Sequence, residues 1–138
     1  TVDRSSSESR KKVYESAQSV IEKGYSICIF PEKDYLDEMI LLNTFKRGAF
    51  KLAIEHQLPI FPIIFYDCKR KFPWHTHFGY VGSLRVKALD LVDTNGMTEK
   101  DIDRLSLLLH KKIKDHLLSD TKKNSINAIE LWRNRTPH

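Results

Sequence analysis

Two apolar runs of strand length, residues 25–30 (Tyr-Ser-Ile-Cys-Ile-Phe) and 60–66 (Ile-Phe-Pro-Ile-Ile-Phe-Tyr), each arrive after an amphipathic stretch and lead into a polar loop. Runs this short and this continuous suit strands buried on both faces, and such strands need helices to cover them. The chain between them supplies helices. Residues 6–23 place Val13, Ala17, Val20 and Ile21 at helical intervals; Ser5 and Glu8 have capping-box spacing at the start, and Gly24 suits the turn that ends a helix. Residues 45–57 place Phe45, Ala49, Leu52 and Ala53 on one helical face, and Thr98 opens an amphipathic helix to Leu118 built on Ile102, Leu105, Leu109, Ile113 and Leu117. Residues 84–92 alternate as a third strand. Pro59 and Pro62 put the second strand near an edge or a bulge.

This order predicts an α/β fold, a mixed and largely parallel sheet flanked by helices with right-handed crossovers. Ligands in such sheets sit beyond the carboxyl ends of the strands, which directs attention to the loops after Phe30 and after Tyr66. The 138 residues make one domain, with residues 119–138 a polar tail or a short docked helix. No apolar run approaches the ~20 residues of a membrane span. With Lys plus Arg at 23 and Asp plus Glu at 18, the formal charge of +5 favours anionic partners without choosing among them. Cys28 and Cys68, both in or beside apolar runs, read as buried thiols of a reducing compartment.

Three short pieces carry chemistry. In Phe30-Pro31-Glu32 a carboxylate follows a strand directly, where it would accept hydrogen bonds from a polyol or simply solvate a loop. Lys46 and Arg47 open the second helix and would face an anion there or lie on its charged surface. Arg4, after Asp3, leaves what reads as the end of a strand whose beginning lies upstream; an Arg so placed suits a bidentate phosphate clamp, and a surface Arg is the alternative.

In this order, Asp3-Arg4, Phe30-Pro31-Glu32, Phe45-Lys46-x-Gly48-Ala49-Phe50-x-Leu52-Ala53 and Pro59-Ile60-x-Pro62-Ile63 resemble the glycerolipid acyltransferases, in particular the bacterial 1-acylglycerol-3-phosphate (lysophosphatidate) acyltransferases. The resemblance covers residues 2–92 and identifies residues 1–118 as the C-terminal part of such a domain. It implies transfer of a fatty acyl group from an acyl-CoA or acyl-carrier-protein thioester, a co-substrate rather than a cofactor, to the hydroxyl of lysophosphatidate in phospholipid biosynthesis, without a metal. It implies that Arg4 contacts the acceptor phosphate, that Glu32, behind Phe30 and Pro31, positions the acceptor, and that Pro62 shapes the acyl-donor side.

The departures also carry information. The family's Gly-Thr-Arg after the Glu is replaced by Lys33-Asp34-Tyr35, so Lys33, Lys46 or Arg47 would have to supply the missing phosphate charge. The family's His-x4-Asp, whose His is the general base, should precede Asp3-Arg4, and the sequence holds none there; no catalytic residue is therefore assigned, and this chain is expected to be inactive alone while its parent is an enzyme. The string from His110 to Asp115 has that spacing but falls mid-helix after the other motifs, and we reject it. Two other readings stand beside this one: a non-catalytic lipid-binding protein, and an acyltransferase for another lysolipid whose choice residues 33–44 would set.

Lys69, Arg70, Lys71, Phe72 and Trp74 mix cations with aromatics, which suits a membrane surface, so the expected placement is peripheral on the cytoplasmic face of a membrane. The alternative is a solvated loop with its aromatics folded inward. Nucleic acid is not expected, since no recognition motif accompanies the loop and acidic residues are spread throughout. His75 and His77 lack the carboxylate or thiol neighbours that a metal site needs. An edge strand left bare would invite dimerisation.

Overall fold

The computed structural model describes residues 7–32, 40–72, 79 and 81–120. The chain divides into two compact units, Thr1–Phe30 and Pro31–His138.

The first unit is built on helix α1 (Ser7–Glu22). Gly24, at φ +79°, ends it: its N–H donates to the Ile21 carbonyl at 2.8 Å, and the Tyr25 N–H reaches back to Val20 at 3.2 Å. This pair of bonds is the Schellman closure that Gly24 foreshadows, because glycine enters the left-handed region without a Cβ penalty. Ser5, the expected cap, lies outside the described residues. The buried strand expected over 25–30 does not form; no ladder joins it, and Tyr25, Ile27, Ile29 and Phe30 are exposed. A strand needs a partner, and among the described residues β-pairing beyond isolated bridges joins only 63–65 and 86–88. Cys28 is therefore exposed rather than buried, as is Cys68.

The second unit holds α2 (Gly48–Glu55), β1 (Ile63–Phe65), α3 (Cys68–Lys71), β2 (Val86–Ala88) and α4 (Ile102–Leu118), the last entered through a 3₁₀ turn, Glu99–Asp101. Its core joins Phe50 and Ile54 of α2 to Ile102, Leu105 and Leu109 of α4, with Phe45, Ala49, Ile60, Val92 and Met97 packed around them. On α4 these positions fall at i, i+3 and i+7, the stripe read from the sequence. Helix α2 begins at Gly48 rather than at Phe45, because the Phe45 backbone bridges to Glu32 instead of joining the helix.

Strands β1 and β2 pair antiparallel, with Ile63 opposite Ala88, Ile64 opposite Lys87 and Phe65 opposite Val86. A largely parallel sheet is not seen among the described residues. Pro62 explains why β1 is shorter than the run 60–66: it has no N–H to give the ladder, its carbonyl accepts from Leu89 at 2.9 Å, and pairing resumes only as an isolated bridge between Ile60 and Val92.

Two further devices hold this unit. Gln57 ends α2 at φ +52°, a conformation that disfavours a Cβ. Its side chain compensates, donating to the Ile54 carbonyl at 2.6 Å and the Met97 carbonyl at 3.2 Å while accepting from the Gly96 N–H at 2.6 Å. At the start of the last helical segment the Asp101 carboxylate accepts from the Thr98 N–H at 2.9 Å and its hydroxyl at 3.1 Å. Those bonds, with Arg104 beyond them, hold the Asp101 carboxyl below its ordinary range.

Candidate functional site

With no strand formed over 25–30, Glu32 does not follow one as the sequence reading expects; instead its neighbours close a neck. The Pro31 carbonyl accepts from the Lys46 N–H at 2.7 Å, the Glu32 backbone bridges antiparallel to Phe45, and the Glu32 Oε2 accepts from the Asn43 N–H at 3.0 Å. The Asn43 Oδ1 in turn accepts from the Thr44 N–H at 2.8 Å. Phe45 anchors the neck in the core, lying edge-on to His110 at 5.0 Å and stacked on Phe50 at 6.0 Å. A carboxylate oxygen carries two lone pairs, so a Glu32 held by one backbone N–H keeps acceptor capacity for a hydroxyl.

The loop after β1 meets this neck. The Cys68 thiol is pushed up from its ordinary value, first by partial burial, then by the charges of Asp67 and Glu32. Glu32 and Cys68 are thus near enough to interact, and the Lys69 ammonium donates to the Ile40 carbonyl. The described stretch 40–45 and the stretch after β1 thus come together at Ile40 and Lys69.

The other expected site residues are placed as follows. Lys46 is exposed, and its backbone closes the neck. Arg47 is exposed and paired through Nε with Asp103 of α4 at 2.8 Å, so a phosphate would have to compete with that carboxylate. Pro62 is buried in the break of the ladder. Phe30 is 76% exposed at the end of the first unit. Arg4, Lys33, Trp74, His75 and His77 lie outside the described residues, as does the side chain of Arg70. Lys71 is buried, and its ammonium donates to the Val81 carbonyl at 2.6 Å, so its charge is not displayed to a surface. Phe72 is displayed, at 77% exposure, and so is Val81, at 98%.

The strongest polar cluster was not visible in the sequence. Asp67, 1% exposed, accepts from Arg85 Nε at 2.9 Å, Nη2 at 2.8 Å and backbone N–H at 3.0 Å, while Asp120 accepts from Nη1 and Nη2, each at 2.8 Å. The guanidinium also lies 5.2 Å from the centroid of the Tyr66 ring. Two carboxylates raise the Arg85 pKa further, fixing it as a cation. This cluster locks the turn from β1 into α3, and hence the direction of Cys68 and Lys69. Only the charge types of the three residues could have hinted at it.

His110 and Asp115 do not act together. The His110 imidazole packs on Phe45 with its Nε2 buried and without a hydrogen-bond partner, and Asp115 accepts from Lys111 at 2.6 Å. Among the described residues no three His, Cys, Asp or Glu side chains gather to hold a metal ion, and no helix is long and apolar enough to cross a membrane.

Residues 1–66 match the family model described as Acyltransferase, which takes in Asp3-Arg4, Phe30-Pro31-Glu32 and Pro62 together. With the relatives that follow, this match shows that the chain belongs to the 1-acyl-sn-glycerol-3-phosphate acyltransferase family. The chain is 30% identical over 111 residues to human 1-acyl-sn-glycerol-3-phosphate acyltransferase beta, an alignment covering 76% of this chain and 37% of that protein. It is 33% identical over 100 residues to the mouse alpha enzyme (67% and 32%) and 27% identical over 122 residues to 1-acyl-sn-glycerol-3-phosphate acyltransferase from Cocos nucifera (88% and 39%). The chain thus spans about a third of the length of the curated relatives it matches. No solved structure matches it.

Proposed function

We propose that the protein to which this acyltransferase segment belongs transfers a fatty acyl group from an acyl-CoA or acyl-carrier-protein thioester to lysophosphatidate, in phospholipid biosynthesis, and that this chain supplies the acceptor side of the site. The observation that carries the reading is Glu32: it lies in the matched segment, follows Phe30 and Pro31, and its carboxylate is held at a neck on which two loops converge. In the proposed reaction the acceptor hydroxyl attacks the thioester carbonyl, the C–S bond breaks, and the products are an ester and a free thiol. The hydroxyl proton passes to a general base, a role we assign to no residue of this sequence. Arg4 clamps the phosphate and Glu32 accepts from the glycerol backbone. Lys33 and Lys46 are the cations proposed to replace the absent Gly-Thr-Arg arginine; Arg47 would first have to leave Asp103. Pro62 sets the path of the chain on the donor side. No cofactor is required.

The same reading places the protein at the cytoplasmic face of a membrane, with the 69–74 loop in contact through Phe72, which is exposed. It also leaves the outer edges of the β1–β2 pair open to a second copy of the chain. Acyl transfer from a labelled long-chain acyl-CoA to lysophosphatidate, measured for the full-length parent and for this chain, tests the proposal. It expects phosphatidate from the parent and none from the chain. A parent that binds lysophosphatidate-containing vesicles without transferring acyl groups would favour the lipid-binding reading, and preference for another lysolipid would change the acceptor.

A further inference from the structure

The geometry points to Lys69 as a positioning residue for the acceptor site, through a strap of backbone that connects it to Glu32. This rests on the reading of Glu32 above. The strap is the stretch 40–45. At one end the Lys69 ammonium binds the Ile40 carbonyl; three residues on, the Asn43 N–H donates to Glu32 Oε2; at the other end Phe45 bridges to Glu32 and packs on His110 and Phe50. Phe45 is fixed by the core, and Ile40 is fixed by a lysine. The bond that orients the carboxylate lies between those two anchors.

Lys69 is itself held in place. It sits in the single turn of α3, directly after Asp67 and Cys68, and Asp67 is clamped by Arg85, which is clamped in turn by Asp120. A bidentate guanidinium on a buried carboxylate is the geometry that fixes direction as well as distance. The loop cation read from the sequence as a headgroup contact thus also binds a backbone carbonyl, and through that bond its charge organises the site. A long cationic side chain suits that task, since its donor reaches a carbonyl that a shorter side chain would miss.

The test has two arms. In this chain, Lys69→Met is expected to speed hydrogen exchange of the Asn43 amide roughly three- to tenfold, the loss of one partly exposed charge-assisted bond, with Lys69→Arg restoring protection. In the full-length parent, Lys69→Met is expected to raise KM for lysophosphatidate by a similar factor while the acyl-CoA KM and the thermal midpoint stay fixed. Unchanged Asn43 exchange in Lys69→Met overturns the strap whatever the parent does. Faster exchange with an unchanged acceptor KM in an active parent overturns the positioning role. Faster exchange in a parent that transfers nothing supports the strap and removes the functional reading instead.

Discussion

Removing the Asp67 carboxylate tests the cluster on which the site's geometry depends. Asp67→Ala takes away the acceptor of three Arg85 bonds, at 2.8, 2.9 and 3.0 Å, from a side chain only 2% exposed. Breaking a fully buried pair from one side costs about 3–5 kcal/mol. Arg85 is 28% exposed and keeps both bonds to Asp120, so water and Asp120 offset part of the loss, and we expect about 2–3 kcal/mol. Asp120→Ala, which leaves the inner pair intact, should cost about 1 kcal/mol. Urea unfolding followed by far-UV circular dichroism reads both, at equal m-values so that the midpoint shift reports stability alone. The double variant Asp67→Ala/Arg85→Met should be less destabilised than the sum of its singles, with a coupling of at least about 1 kcal/mol. A loss below about 0.5 kcal/mol for Asp67→Ala would refute the reasoning, since an interaction that weak could not direct α3.

Three other outcomes follow from the geometry. In a Cys28→Ser background, Cys68 should alkylate more slowly at pH 8 than a free thiol, and Glu32→Gln should speed it by removing a nearby negative charge; an unchanged rate would place Glu32 away from Cys68. The Asp101 carboxyl is depressed in the folded chain, so its contribution to stability is complete above the unfolded carboxylate value of about 3.9 and is lost as pH falls through the lower folded value. The difference between wild type and Asp101→Asn should therefore be flat from pH 5 to 8 and shrink below about pH 4; a difference that grows in acid would reverse the sign. Leu109→Ala, at 2% exposure, should cost about 2–5 kcal/mol and Leu107→Ala, at 70%, close to nothing; equal costs in thermal or urea unfolding would mean that α4 packs by another face.

Local signals carried the parts of this fold that depend on local chemistry. Helix α1 and its Gly24 stop, the stripe of α4 and the Thr98 start were legible because each rests on spacing within a few residues. The strand at 25–30 failed because its apolar run says nothing about a partner, and β1 shrank because one proline outweighed six apolar neighbours. Gln57 gave no sign of its left-handed turn, which Gly96 and Met97 support from forty residues away. In the site, the motif singled out Glu32, but its bond to the Asn43 N–H left no sign in the sequence. The Asp67–Arg85–Asp120 cluster and the Lys69 bond to Ile40 were not legible either, since charges brought together by tertiary structure leave no periodic trace.

The acceptor side of the proposed site depends above all on Glu32. Steady-state transfer by the full-length parent carrying Glu32→Ala, with lysophosphatidate and acyl-CoA varied separately, addresses this most directly. Loss of a charge-assisted bond to the acceptor should lower kcat/KM for lysophosphatidate at least about tenfold, with the acyl-CoA KM unchanged. A value within about twofold of wild type would contradict it, leaving Glu32 a clasp for Asn43 and nothing more.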